Sequence, residues 1–527
     1  MKVLLIQPSY PFSEFPKPSS ALLSLGTLLQ SEGVEVEILD LLSTRYTPEK
    51  IEKRLTRFQP QVVGVTSVTM NFPMAVKTIQ YCKKMAPEII TIIGGPHVTF
   101  TAGETLRDCP EVDIVVRGEG EETMRELLPA LESGESLEKI QGLTFRQNRW
   151  IRKTGDRPLI PDLDRLPLPD RTLFPLSRYL AMRVPVSVLS SRGCPMDCSF
   201  CVGYRMTGRK GRFRNPLRVV DEIESAHRLG FAEVCIDDDL FTRNRRHVFA
   251  ICDEMGRRGL KMNMYIFARV DTVDSALLRK LREAGCTMIC FGLESGNQEI
   301  LDRSRKRITL EKARHAVKLS KEAGISPLGS FILGLPGETR ETMEETLAFA
   351  QSLGIPYGFH LLAPFPGTRI RERAPEYGIR ILTDDWSLYD ADHGVTETEG
   401  ISAQEVESFA QTFFRKLGAE IEKMRQGTLA GTYQGPYLEE MEKRVEVDFV
   451  WKLLAADLIE EQGEIPRTEA YSLHEKRTPL GALARRLAGI VSMPLPFVEN
   501  KLQKLSDRGL ILCQNNTESF RWKWKEI

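Results

Sequence analysis

The stretch "SSRGCPMDCSFC", Ser190 to Cys201, decides the reading of this chain, because it sets Cys194, Cys198 and Cys201 on one short loop. The spacing is Cys-x-x-x-Cys-x-x-Cys, and three thiols are an odd number. Disulfides use cysteines in pairs, and a closed structural zinc site takes four ligands. Soft sulfur ligands this close together select zinc, copper or an iron–sulfur cluster. A 4Fe–4S cluster normally takes four Cys, so three would leave one iron open to a small molecule. A zinc site completed by a distant ligand also stays open here, although no His lies between His97 and His227.

Directly before the trio runs "PVSVLSS", a strand candidate. It heads a series that continues with "AEVCIDDD", "MNMYIFAR", "TMICFGLES", "LGSFILGLPGE" and "YGFHLLAPFPGT". Helix patterns such as "PLRVVDEIESAHRLG" lie between them, many ending in Gly. Six β-then-α repeats predict a full or partial parallel barrel over 184–400, with its chemistry on the loops after the strands. The cysteine loop follows the first of these strands.

Upstream, 1–140 alternates the strands "KVLLIQP", "VEVEILD", "VVGVTSV", "ITIIGGP" and "VDIVVRGEG" with helical stretches. Near-continuous apolar strands predict an α/β, doubly wound parallel sheet buried on both faces. Ligands on such sheets bind beyond the strand C-termini. Those ends carry Thr66, Ser67 and Thr69, then Gly94, Gly95 and His97, then Gly118, Glu119 and Gly120. The alternative is that the glycines only make tight turns. Residues 141–183, with Pro158, Pro161, Pro167, Pro169 and Pro175, are expected to form an extended linker.

Beyond 401 the pattern becomes mainly helical, and the last 50 or so residues read as helix, turn, helix and hairpin, a winged-helix-like order. In the hairpin Arg521, Lys523 and Lys525 alternate with Trp522 and Trp524. A hairpin with one packed face is expected; a nucleic-acid wing is the alternative.

The 527 residues are 42% hydrophobic and 27% charged with zero formal net charge, which suits a globular protein of several domains. Neutrality argues for neither nucleic acid nor membrane as partner. No apolar run approaches the roughly 18 residues of a membrane span. "MKVLLIQPSYPF" is too short in apolar residues for a signal peptide, so a cytoplasmic location is expected. In that compartment the other seven of the ten cysteines are expected to be ordinary packing residues.

The loop Cys194-Pro-Met-Asp-Cys198-Ser-Phe-Cys201, with Phe200 before the third Cys, resembles the signature of radical S-adenosylmethionine (SAM) enzymes. The resemblance implies a 4Fe–4S cluster on the three Cys, with SAM chelating the fourth iron. It also implies SAM contacts from Phe200, Asp238, Asp239, Arg269, Glu294, Ser295 and Gly334, which stand in "IDDDLF", "FARVD", "GLESG" and "GSFILGLPGET". The α/β region before the barrel resembles the cobalamin-binding subfamily through "GGPHVTF" and "VVRGEGEET". That implies cobalamin at Thr66, Ser67, Thr69, Gly94, Gly95, His97, Gly118, Glu119 and Gly120. There is no Asp-x-His-x-x-Gly motif in 1–150, so a lower axial histidine is not implied, and His97 is expected to be hydrogen-bonded within its loop.

The resemblance implies methyl transfer to an unactivated carbon or phosphorus, through methylcobalamin and a 5′-deoxyadenosyl radical. The substrate would be a small molecule, tetrapyrrole, lipid or peptide, and flavodoxin or ferredoxin would give electrons. The alternatives are a radical oxidative cyclase resembling anaerobic magnesium-protoporphyrin ester cyclase, another non-methylating rearrangement, a methylthiolating enzyme, and a cobalamin- or cluster-based DNA-binding sensor. The basic run Arg205 to Arg214 is either a solvated loop or a means of steering an anionic substrate. Glu338, His360, Asp384 and Asp385 lie on or near strand ends.

Overall fold

A computed structural model describes residues 1–10, 16–435, 437–470 and 478–526. Its first sheet is built from β1 (Lys2–Gln7), β2 (Glu35–Asp40), β3 (Val62–Thr66), β4 (Ile90–Gly94) and β5 (Ile114–Val116), all parallel. Val3, Leu4, Leu5 and Ile6 are all buried, as a strand covered on both faces requires. Leu5 and Ile38 pack toward Leu22 and Leu29 of the helix Ser20–Ser31, while Leu4, Ile6 and Val63 pack toward Ile79 on the other face. The strand order is β2-β1-β3-β4-β5, so the winding reverses between β1 and β3 and opens a crevice at their C-terminal ends.

The expected linker over 141–183 is corrected by the structure. Leu143–Gln147 (β6) and Trp150–Lys153 (β7) extend the first sheet antiparallel, and Leu176–Met182 is a helix. The prolines interrupt hydrogen bonding, but the apolar residues among them dock. Ile160, Leu163 and Leu166 pack with Leu28. The buried Tyr179 donates its hydroxyl to Asp40 (2.8 Å). The segment is a strap fastened to the first sheet.

The second sheet runs β8 (Val186–Val188), β9 (Glu233–Ile236), β10 (Asn263–Ala268), β11 (Cys286–Glu294), β12 (Ser326–Leu333) and β13 (Tyr357–Leu361). All six are parallel, in sequential order, with β8 and β13 as edges, which makes a partial barrel. Side chains alternate along the strands. Val234, Ile236, Met264, Ile266, Ile289 and Phe291 belong to the buried core. The intervening positions face the other way, and there Phe267 is 47% and Met288 38% exposed although both lie on central strands. The inner face of the barrel is therefore an open lumen, with Phe267 and Met288 among its apolar side chains.

Beyond 401, helices Ala403–Leu429 and Leu438–Ala455 pack against the barrel. Phe413 stacks on Tyr357 and meets Phe359 edge-on, and Lys443 pairs with Glu233. Helices Pro479–Val491 and Leu495–Asp507 then join a three-stranded antiparallel sheet of Glu464–Pro466 (β14), Ile511–Asn515 (β15) and Ser519–Trp524 (β16), a winged-helix-like arrangement. Phe520, Trp522 and Trp524 are buried while Arg521 and Lys523 are exposed. The hairpin has one packed face, and its aromatic rings point into the core. Among the described residues no helix is long and apolar enough to cross a membrane.

Candidate functional site

The cysteine loop is fastened at both ends. Immediately after β8, Asp238 accepts from the amides of Ser190 (2.6 Å) and Ser191 (3.0 Å) and from both hydroxyls (2.6 Å each). Gly193 has φ +111°, and a Cβ there would lie 2.5 Å from the Lys210 carbonyl, so only glycine lets the chain pass. Further on, Ser199 donates both its N–H and hydroxyl to the Ser304 carbonyl and accepts from the Ile370 amide. The thiols between these anchors grade from buried Cys198 through half-buried Cys194 to exposed Cys201.

Desolvation by the surrounding loop pushes all three thiols up, including that of Cys201, whose residue surface is otherwise exposed, while Lys306 and Arg269 pull Cys198 back down. Arg269 stands 3.9 Å from the Cys198 sulfur, its guanidinium fixed by Asp271 (3.0 Å) and the Lys306 carbonyl (2.9 Å). Zinc would need its thiolates about 2.3 Å away on every side. Among the described residues no three His, Cys, Asp or Glu side chains stand close enough together for a single ion. Three soft thiols beside two fixed cations fit a larger, anionic thiolate-bound cluster with one ligand position left to a small molecule.

The two aspartates of "IDDDLF" differ sharply. Both oxygens of Asp238 are occupied by the serines, which directs it to the loop rather than to a ligand. Asp239 uses Oδ2 for the Gly193 amide (2.8 Å) and the Thr207 hydroxyl (2.7 Å). Its Oδ1 lies on the Cys201 side, since a Cβ at Gly203 would be 3.3 Å from it and 3.5 Å from the Cys201 sulfur. Glu294 sits at φ +65° where the β11–β12 register shifts, and its buried carboxylate pairs with Lys306 (2.6 Å). Ser295 is enclosed and bonded to Thr346 (3.1 Å). Gly334, at φ +85°, donates its N–H to Glu338, which also accepts from Leu335 (3.0 Å). Phe200 packs against the Leu335–Leu362 cluster.

Lys306 is the residue that sequence reasoning missed; it lies outside every strand-end motif and reaches Glu294 only through the fold. Glu338 is buried, with Oε1 lacking a protein partner, and burial pushes it to about 8. Asp384 pairs with Arg371 and Asp385 caps the turn at Ser387, while His360 is exposed on β13.

At the C-terminal edge of the first sheet lies a cavity of about 270 Å³. Thr66, Gly94, Gly95, Gly118, Glu119 and Gly120 line it, with Leu22, Leu25 and Met124 as apolar walls. Gly118 has φ +73° and open space where a Cβ would project. The opposite wall is Leu189, Arg192, Met206 and Thr207, from the segments that flank the cysteine loop. A glycine floor under apolar walls fits a large, flat group that needs backbone-close approach.

Two family models match the chain: the Radical SAM superfamily over residues 188–350 and the B12 binding domain over residues 14–128. An uncharacterised methyltransferase of Pyrococcus horikoshii is 35% identical over 77% of this chain and 90% of its own length. The chain belongs to the cobalamin-binding radical SAM family. The anaerobic magnesium-protoporphyrin IX monomethyl ester cyclase of Cereibacter sphaeroides is 34% identical over 62% of this chain and 55% of its own. The structure of the cobalamin-dependent SAM radical enzyme OxsB with aqua-cobalamin shares the fold, with a TM-score of 0.69 at 16% identity over 97% of this chain and 81% of that one.

This radical SAM enzyme thus has a 4Fe–4S cluster, SAM and cobalamin as cofactors. Three of the residues expected at cobalamin stand outside the cavity lining. Ser67 is enclosed beneath Gly95, whose Cβ would lie 2.2 Å from the Ser67 carbonyl. Thr69 is buried beside the His97 ring (3.3 Å). His97 is stacked on Phe72 (4.1 Å) with Trp386 at its edge, and burial pushes its pKa down to about 3. It is a neutral packing residue, turned inward as its helix begins at Pro96.

Glu119 and Glu121 of the glycine loop reach across to the barrel. Arg192 pairs with both (2.9 and 2.7 Å), and Arg212 pairs with Glu119 (2.8 Å). Burial opposes the charge on Glu119, but Arg212 and Arg192 outweigh it and hold the carboxyl below its usual range. The run Arg205 to Arg214 is thereby divided. Arg205 pairs with Glu372, Arg212 with Glu119 and Arg214 with Glu222, leaving Arg209 and Lys210 exposed.

Proposed function

We propose that this enzyme moves a methyl group from SAM, by way of cobalamin, to an unactivated carbon or phosphorus of a small-molecule, tetrapyrrole, lipid or peptide substrate. The observation that carries the reading is the shared wall. The cavity over the glycine floor is bounded by Leu189, Arg192, Met206 and Thr207, which flank the cysteine loop, so the two cofactor sites would be neighbours across that wall. The likeness to the Pyrococcus methyltransferase, spanning 90% of that protein, supports methylation over cyclisation.

When bound, the cluster supplies the electron that cleaves SAM, and cobalamin supplies a carrier for the methyl group. The chain's own residues bind and orient. Cys194, Cys198 and Cys201 hold the cluster. Asp239 offers Oδ1 to the SAM ammonium, and Arg269, fixed by Asp271, offers its charge to the SAM carboxylate. Glu294, held by Lys306, would bond the ribose, and the backbone of the Gly334 turn would contact the adenine. The open lumen around Phe267 and Met288 would receive the substrate. A flavodoxin or ferredoxin supplies the electron.

The test is anaerobic loading with iron, sulfide and hydroxocobalamin, followed by SAM labelled in its methyl group. Label transferred to an acceptor, with 5′-deoxyadenosine formed, supports the reading. The likeness to the cyclase supports a second reading, radical oxidation without methylation, in which 5′-deoxyadenosine forms and no label leaves SAM for an acceptor.

A further inference from the structure

The outer face of the cysteine loop carries more positive charge than its packing requires. Asp197, next to Cys198 and almost fully buried, meets three guanidinium groups, from Arg305 (2.5 Å), Arg307 (3.0 Å) and Arg369 (3.8 Å). One bidentate arginine would satisfy a carboxylate. The surplus cations repel one another, so stability of the loop does not explain them.

The patch continues sideways. Arg369 lies beside Tyr204, and the Arg209 guanidinium lies 4.7 Å from the centre of the same ring, with its Nη1 3.5 Å from the Pro195 carbonyl. Lys210 follows, also exposed. Arg307 is 60% exposed and Arg305 37%.

The backbone beneath is set up for this display. Arg305 and Arg307 both lie in the left-handed region, at φ +58° and +57°, with Lys306 turned inward to Glu294 between them. Two strained residues in three are costly, and such strain persists where a site depends on it. The result is one buried cation serving the SAM side and two outward ones on the other side of the loop.

We infer that this arginine face is the docking surface of an acidic one-electron carrier protein, which passes its electron to the cluster through the Asp197–Cys198 corner. The inference rests on the radical SAM reading, which requires an external electron for each SAM cleaved. In the step the carrier is oxidised by one electron and the cluster reduced by one; no bond or proton changes place. Complementary charge steers such encounters and is screened by salt.

The test measures binding as well as turnover. The cluster-loaded enzyme is titrated with flavodoxin, and affinity is followed as salt rises from about 50 to about 200 mM. Wild-type affinity falls with salt. Arg209→Glu/Lys210→Glu/Arg307→Glu binds about tenfold more weakly or worse. The double variant Arg209→Glu/Lys210→Glu, whose residues do not touch Asp197, weakens in the same direction. SAM cleavage is then driven in parallel by reduced flavodoxin and by dithionite, and the ratio of the two rates falls with affinity. Salt-independent binding, or unchanged affinity and ratio in both variants, overturns the docking surface. A wild-type enzyme that cleaves no SAM even with dithionite overturns the functional reading instead.

Discussion

The two parallel sheets present ligands at the same place, beyond the C-terminal ends of their strands, by opposite means. The first removes side chains: Gly94, Gly95, Gly118 and Gly120 leave a bare floor under apolar walls. The second adds charge and fixes it, with Glu294 held by Lys306, Arg269 by Asp271, and Asp239 by the Gly193 amide and the Thr207 hydroxyl. A large flat group is recognised by shape and backbone approach. A small zwitterion and an anionic cluster are recognised by fixed charges and thiols. The first edge should therefore respond to volume and the second to charge.

The strongest break comes at the second edge. Cys198→Ala removes the buried thiol beside Arg269, and SAM cleavage should fall below detection. Iron and sulfide content and 5′-deoxyadenosine formation read this out, and cobalamin retention should be unchanged. Next is the latch between the edges. Glu119→Ala leaves Arg192 with Glu121 alone and strips Arg212 of its carboxylate, at a cost of about 3 kcal/mol in denaturant unfolding. At the first edge, Gly120→Leu tests volume without backbone strain. Gly120 has an ordinary φ of −85°, and a Cβ would make only van der Waals contact, 3.6 Å from Val116. The protein should fold, and cobalamin affinity should drop about tenfold from overpacking.

The smallest effect sharpens the charge side through pH. Glu338 has its folded pKa raised to about 8 by burial, above the unfolded value of 4.5. Its protonated form is favoured in the fold, so its contribution is fully present below pH 4.5 and is lost as pH rises through 8. Glu338→Gln keeps an acceptor for the Gly334 and Leu335 amides and has no charge to form. Thermal unfolding should show the wild type losing about 1 kcal/mol relative to this variant between pH 7 and 9. Equal pH profiles would show that burial does not hold the Glu338 carboxyl in its protonated form.

The strands were legible wherever Val and Ile run nearly unbroken, because burial on both faces leaves no room for polar alternation. The trio was legible because its spacing is local. What the sequence hid was tertiary. Nothing in "IDDD" distinguishes Asp238, spent on Ser190 and Ser191, from Asp239 at the rim; the choice depends on how the next loop folds over them. The latch joins Glu119 to Arg192 and Arg212, 73 and 93 residues away. The prolines of 141–183 suggested an extended linker, but β6 and β7 join the first sheet and Ile160, Leu163 and Leu166 fasten the rest. His97 stood in a plausible motif and turned inward against Phe72 because its helix begins one residue earlier.

The two edges meet at one wall, formed by Leu189, Arg192, Met206 and Thr207, and electron paramagnetic resonance tests that adjacency directly. The protein is loaded with cluster and cobalamin and reduced so that the cluster and cob(II)alamin are both paramagnetic. Two centres across the shared wall of Leu189 and Met206 should split or broaden each other's signals, and the coupling should vanish in Cys198→Ala. Two unperturbed signals from a fully loaded sample would contradict that adjacency.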